Sequence, residues 1–195
     1  MKWYKVDIRE ISGTVYENWI SIMSEETRQR VQKFKKEDDK KRTIAGEMLA
    51  RKAIAERYSI SENDIVILRD EKGKPYAKDL DVHFNISHSE NMVVCAVADK
   101  PVGIDIEQIK PVNLSIAKRI CNDLELEYLF GYVPTEDDFK TTDKREVLLR
   151  FFELWTAKEA YAKCIGTGLA SISLPMREET EKHIINDEYF LSIYK

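Results

Sequence analysis

Hydrophobic and polar positions along the chain alternate between strand-like and helix-like spacing. "WYKVDI" has the pattern of a strand, and Ser24 opens a capped helical stretch in "SEETRQRVQKF". After the charged run "KKEDDKKR" a long helix is expected. Ile44, Met48, Ala55 and Tyr58 fall on one of its faces, and Ala45, Leu49 and Ala53 on the opposite one. A helix that is apolar on two sides belongs in an interior. "DIVILRD" reads as a strand, "EKGKPY" as a turn, "VHFNI" as a strand, "SHSEN" as a loop and "MVVCAVAD" as another strand.

A second series starts at Pro101. "VGIDIEQ" reads as a strand, and two helices follow, "LSIAKRIC" and "DLELEYLFGY". The acidic, turn-rich "VPTEDDFKTT" then leads to the clearest helix of the chain, Asp143 to about Cys164. Its start, Asp143 with Glu146, has the capping-box form D-x-x-E, and Gly166 and Gly168 mark its end. "SISL" and "YFLSIYK" are expected as closing strands. Each half, 1–100 and 101–195, thus reads as a major helix with a small, mainly antiparallel sheet. The fold class is α+β, built from two similar halves in one integrated unit.

Composition narrows the setting. At 195 residues, 43% hydrophobic and 34% charged, the chain has room for one generous domain or two small halves sharing a core. It contains no run of about 18 apolar residues, and "MKWYKVDIRE" lacks the apolar core of a signal peptide, so a cytoplasmic protein with no membrane partner is expected. Cys95, Cys121 and Cys164 are odd in number and sit in apolar surroundings, which argues for packing rather than disulfides or zinc. A net charge of −4 excludes a uniformly basic nucleic-acid binder, although the basic residues are bunched.

Candidate chemistry centres on the second half. In a strand, Gly103, Asp105 and Glu107 share one face while Val102, Ile104 and Ile106 share the other. Two carboxylates side by side repel without a counterion, although an edge strand with a solvated polar face carries the same pattern. In "FFELWTAKEAYAKCIGTGL", Trp155, Glu159 and Lys163 follow one another at single-turn spacing, with Lys158 on the adjoining side. Taken alone, that helix is also an ordinary amphipathic one with a solvated Glu–Lys pair. Together, the two features offer three carboxylates and flanking lysines, the requirements of Mg²⁺ on a diphosphate. In the first half, Ser87 and His88 in "NISHS" read as loop residues able to approach a phosphate. Lys72 and Lys74 around a glycine, Arg42 ahead of the long helix, and Arg28, Arg30 and Lys33 add positive charge for a polyanionic ligand.

"VGIDIE", followed roughly fifty residues later by "WTAKEAYAK", resembles the paired signature of the 4'-phosphopantetheinyl transferases. "GKPY", "FNISHS" and "EDDKKRTIAGEMLAR" further resemble the monomeric Sfp type, the subfamily named for surfactin biosynthesis. The resemblance runs from about Tyr4 to about Tyr194 with the motifs in the family's order. It implies transfer of the phosphopantetheine arm of coenzyme A to a serine of an apo acyl or peptidyl carrier protein, releasing adenosine 3',5'-bisphosphate. The implied fold is a pseudodimer of two α+β halves with coenzyme A in the cleft between them.

By the same resemblance, Asp105, Glu107 and Glu159 hold Mg²⁺, and Glu159, Lys163 and Glu125 form the catalytic group. Lys158 and Lys163 contact the phosphates. Ser87 and His88 receive the 3'-phosphate with Arg42 and Lys74, and Arg30 serves at the earlier helix. The proton acceptor is Glu125 by alignment through "IAKRI", with Glu127 or a water held by the metal as alternatives.

Three departures accompany the resemblance. Thr27 stands where the family often has a lysine contacting coenzyme A. The segment between Phe130 and Asp143 is longer than usual, where carrier proteins tend to dock. The chain stops at "YFLSIYK", where the family usually continues into a counterpart of "MVVCAVAD", so an unpaired edge is expected in the second sheet. The competing readings are a non-catalytic coenzyme A or carrier-protein binding module and a Mg²⁺ phosphohydrolase.

Overall fold

In the computed structural model, which describes residues 1–71, 73–168 and 180–195, the chain divides into two units, Met1–Val102 and Gly103–Lys195. The first contains β1 (Lys2–Asp7), α1 (Gly13–Ser21), α2 (Glu25–Gln32), α3 (Glu37–Tyr58), β2 (Ile67–Arg69), β3 (Pro75–Ala77), β4 (His83–Ser89) and β5 (Met92–Ala98). Its main sheet has the order β1-β5-β4, antiparallel throughout, and β2 and β3 form a separate hairpin. The all-apolar β5 is the central strand and is buried along its whole length.

The two-sided pattern of α3 has a direct cause. Ala45, Leu49 and Ala53 pack with Phe84, Val93, Cys95 and Val97 of the sheet. Ile44 and Met48 meet Met23, Val31 and Trp19 on another side, beneath α1 and α2. The second face is shorter than the spacing predicts: Ala55 joins the sheet-side cluster, and Tyr58 is exposed with its hydroxyl donating to the Asp81 carbonyl at 2.6 Å. α2 starts where expected, the Ser24 hydroxyl accepting the Thr27 N–H at 3.1 Å. α1, capped by Ser12, was not legible in the pattern. The "SHSEN" loop is corrected: β4 runs through Ser89, with Ser87 opposite Val94 and His88 opposite Val93, because its ladder with β5 continues to Met92.

The second unit contains β6 (Gly103–Gln108), β7 (Val112–Asn113), α4 (Ala117–Ile120), α5 (Asp123–Phe130), β8 (Thr141–Thr142), α6 (Arg145–Ile165), β9 (Glu181–Ile185) and β10 (Tyr189–Tyr194). Its sheet has the order β6-β10-β9, again antiparallel, and α6 packs on β6 and β10. β10 therefore holds the central place that β5 holds in the first unit. This corrects the expectation that the counterpart of "MVVCAVAD" is missing: "YFLSIY" is that strand, and the element not foreseen is β9. "SISL" lies outside the described residues.

α6 ends at Gly166, which takes the left-handed conformation with φ 72°. Its expected capping box does not form. Thr141 and Thr142 are drawn into a ladder with β7, the helix starts at Arg145 after Lys144, and Glu146 pairs with Arg150 at 2.6 Å. Each unit is thus a major helix on a three-stranded antiparallel sheet, the α+β architecture of two similar halves. Among the described residues no helix is long and apolar enough to cross a membrane.

Candidate active site

The site is laid out by the seam between β6 and α6. Gly103, Asp105 and Glu107 alternate on β6 opposite Tyr194, Ser192 and Phe190 of β10. A Cβ at position 103 would lie 1.8 Å from the Ala160 carbonyl oxygen and 2.6 Å from the Cys164 nitrogen, so only glycine lets the strand approach the helix backbone this closely. Beside it, Thr156 Oγ1 and Ser192 Oγ are 2.7 Å apart in the interior. The Thr156 proton goes to the Phe152 carbonyl at 2.7 Å, so Ser192 donates to Thr156 and ties β10 to α6.

This anchoring brings the carboxylates of β6 to the acid–base face of α6. Asp105 is buried at 3% exposure, and its Oδ1 lies 2.6 Å from Lys163 Nζ. Glu159, one turn before Lys163, is half-buried, and its carboxyl is held above the usual range. Burial is the main cause, the Asp105 charge adds to it, Lys163 opposes, and Glu107 adds again. The charges of Asp105, Lys163 and Glu107 thus all act on Glu159.

The donor chemistry suits a hard divalent cation, since Asp105, Glu107 and Glu159 offer only carboxylate oxygens and their mutual repulsion is registered at Glu159. Among the described residues no group of three His, Cys, Asp or Glu side chains stands together in metal-holding geometry. The cation seated on Asp105 is the Lys163 ammonium.

Glu125 and Lys158 form a second pair deeper in the same unit. Lys158 is 2% and Glu125 8% exposed, with Nζ 2.9 Å from Oε2. The same Oε2 accepts the Asn122 N–H at 2.9 Å, and Asn122 Oδ1 accepts the Glu125 N–H, a capping box at the start of α5. Nearby Cys121 is pushed up to about 11 by burial and the Glu125 charge, with Lys158 opposing, so it stays a thiol at neutral pH. Lys158→Met leaves the buried Glu125 without its cation and is expected to cost about 3 kcal/mol. A thermal melt checks this: the midpoint should fall by about 10 °C and largely recover in the Lys158→Met/Glu125→Gln double variant. A single variant melting with the parent would contradict a stabilising role for the pair.

The first-unit residues fall into separate groups. Arg42 donates to the Glu90 carbonyl at 2.7 Å and pairs with Asp39, which puts it against the turn following Ser87 and His88. Those two are neighbours in a strand and emerge on opposite faces, Ser87 buried and His88 exposed. Lys74 sits on the β2–β3 turn, where its N–H donates to Asp70 Oδ1 at 2.8 Å. Arg30 occupies the last turn of α2. Burial, and after it the Arg30 charge, holds the Arg69 guanidinium below its usual range, with Glu47 and Glu26 opposing. Arg69 escaped the sequence reading, as did the buried pair Glu47–Arg51. Their only signal was an i,i+4 acid–base pair inside an otherwise apolar helical stretch.

Known proteins share this sequence at length. The family model described as 4'-phosphopantetheinyl transferase, N-terminal, matches residues 12–100, and that of the 4'-phosphopantetheinyl transferase superfamily matches residues 101–189. The 4'-phosphopantetheinyl transferase Sfp of Bacillus subtilis (strain 168) is 38% identical over 169 residues, 86% of this chain and 70% of that protein. The 4'-phosphopantetheinyl transferase gsp of Aneurinibacillus migulanus is 36% identical over 160 residues, 82% of this chain and 63% of that protein. A further 4'-phosphopantetheinyl transferase of Bacillus subtilis is 39% identical over 178 residues, 90% of this chain and 74% of that protein.

Proposed function

The chain belongs to the 4'-phosphopantetheinyl transferase superfamily, and on that premise we propose that it transfers the 4'-phosphopantetheine arm of coenzyme A to a serine of an apo acyl or peptidyl carrier protein. The observation that carries the reading is the β6 carboxylate face set against the acid–base face of α6, with Lys163 on Asp105. In this reading the enzyme is Mg²⁺-dependent and works as a monomer in the cytoplasm. Asp105, Glu107 and Glu159 would hold the ion. When bound, Mg²⁺ neutralises the coenzyme A diphosphate and polarises the phosphorus under attack.

The serine oxygen forms a bond to the β-phosphorus, and the bond from that phosphorus to the bridging oxygen breaks. Adenosine 3',5'-bisphosphate leaves with the electron pair, and the hydroxyl proton goes to a base. Glu125 is the proposed acceptor, its carboxylate fixed from two sides by Lys158 and the Asn122 N–H. Negative charge grows on the leaving oxygen as the bond breaks, and Lys163 stabilises or protonates it there. In the first unit, Arg30, Arg42, Lys74, Ser87 and His88 serve the 3'-phosphate end, and Lys158 and Lys163 the diphosphate.

Lys163→Ala is expected to reduce kcat by about a hundred-fold while the KM for coenzyme A rises by less than about five-fold, because its role is greatest at the transition state. Steady-state kinetics with a carrier protein checks the split; an effect confined to KM would assign Lys163 to ground-state binding. The reading as a whole is tested by incubating the purified chain with Mg²⁺, coenzyme A and a panel of apo carrier proteins. Intact-mass detection of the added arm on at least one carrier is the expected result.

A further inference from the structure

α5 carries the proposed base, Glu125, and has little stiffness of its own. It is eight residues long and ends at Gly131, which takes the left-handed conformation with φ 81°. Helices of this length are marginal without tertiary support. Part of that support is Leu129, fully buried with Leu148, Phe151 and Phe152 of α6. Apolar burial is non-directional, so it holds α5 down and sets its rotation only loosely.

Two polar contacts supply the direction. Near the start of α5, Glu125 Oε2 lies 2.9 Å from Lys158 Nζ, and about one turn later the Tyr128 hydroxyl donates to Glu153 Oε2 at 2.6 Å. The pairs run in opposite chain order, 125 to 128 on α5 against 158 to 153 on α6, so the two helices are laced antiparallel at two points. One point would let α5 pivot; two fix its line. Glu153 is itself braced, since its other carboxylate oxygen takes Lys182 Nζ of β9 at 2.6 Å. The Arg150 guanidinium lies over the Tyr128 ring, 5.8 Å from its centroid. The reaction weakens the first contact: once Glu125 accepts the serine proton it is a neutral acid, and the charge attraction to Lys158 is lost. The second contact is untouched by that transfer. Burial, then the Glu153 bond and charge, push the Tyr128 hydroxyl up to about 12, with Arg150 opposing, so it remains a donor at neutral pH.

We infer that Tyr128 is a positioning residue for the transfer: its hydroxyl bond to Glu153 holds α5 on α6 while Glu125 gains the proton, and so keeps the base aimed at the acceptor hydroxyl. The inference rests on the reading of Glu125 as the base. Tyr128 acts through α5 and not by contact with the reacting atoms. It is 44% exposed, so its bond competes with water and adds little to stability. Its worth lies in direction.

Transfer kinetics with a carrier protein, read beside thermal melts, test it. Tyr128→Phe removes only the hydroxyl. It is expected to lower kcat about ten-fold with the KM for coenzyme A within about two-fold of the parent, because a base set slightly off line slows the chemical step alone. Its melting temperature should fall by no more than about 4 °C, the effect of one exposed hydrogen bond. Glu153→Gln keeps an oxygen for the hydroxyl and should hold kcat within about two-fold of the parent, whereas Glu153→Leu should repeat the Tyr128→Phe loss. The same Tyr128→Phe change in a Glu125→Gln background separates positioning from general weakening. With no carboxylate left to aim, it should cost less than about two-fold further. Equal fractional losses in the two backgrounds would overturn the inference, as would parental kcat in Tyr128→Phe or a loss confined to KM. Parental kcat in Glu125→Gln would instead defeat the assignment of the base, and this inference with it. Absence of transfer by the parent chain would defeat the functional reading as a whole.

Discussion

Asp105→Ala is expected to abolish transfer, with a loss of about a thousand-fold in kcat/KM, while the protein keeps its fold. The two halves of that expectation have separate causes. Asp105 sits at 3% exposure among like charges, and removing it relieves the repulsion it exerts on Glu159. Lys163, whose side chain is 29% exposed, retains access to water and is not stranded as a buried unpaired cation. The melting temperature should therefore stay close to that of the parent. Activity loses both a proposed Mg²⁺ ligand and the group that seats Lys163. A second readout follows from the charges: the Glu159 carboxyl should titrate lower in the variant than in the parent, while remaining raised, because burial is its largest cause. Parental turnover by Asp105→Ala at saturating Mg²⁺ would remove Asp105 from the site.

Gly103→Ala carries the largest expected effect on folding. The added Cβ would meet the Ala160 carbonyl oxygen at 1.8 Å and the Cys164 nitrogen at 2.6 Å, and both are backbone atoms of a long helix. Neither can turn aside as a side chain can, so β6 must leave α6 and take Asp105 and Glu107 with it. The expected cost is about 3 kcal/mol or more, seen as a melting temperature lowered by about 10 °C or as failure to recover soluble protein. Gly46→Ala is the matched comparison. Its Cβ would meet Ile86 Cγ2 at 2.9 Å, a side-chain methyl rather than helix backbone, so a smaller loss is expected. A Gly103→Ala chain that melts with the parent would show that the seam between β6 and α6 is not set by close backbone approach.

These two positions also mark how much of the site is legible in the sequence. The period of two in "VGIDIEQ" and the four-residue steps Trp155, Glu159 and Lys163 are local signals, so the carboxylate face and the acid–base face can be read from residue order alone. That the faces meet depends on Gly103, whose lack of a side chain is silent as a periodic signal and informative only once a helix lies across it. The long α3 is readable from its apolar sides. Its buried Glu47–Arg51 pair is not, because at i,i+4 an acid and a base look the same whether solvated or enclosed. β9 escapes because its burial alternates only weakly and three of its five residues are charged or His. That omission makes β10 look like an edge where it is a centre. Ser87 and His88 read as loop residues because "SHSEN" is polar, while the ladder to β5 keeps them in strand. In each case a tertiary partner overrides the local pattern.

Transfer of the phosphopantetheine arm from coenzyme A to a carrier-protein serine is the reaction on which every site assignment above depends. The most direct test is the intact mass of apo acyl and peptidyl carrier proteins after incubation with the purified chain, Mg²⁺ and coenzyme A. A carrier variant with the acceptor serine changed to alanine serves as the control. At least one carrier is expected to gain the mass of one phosphopantetheine arm, the alanine carrier none, and adenosine 3',5'-bisphosphate should appear in equal amount. Binding of coenzyme A with no mass added to any carrier would contradict it and leave a binding module in place of an enzyme.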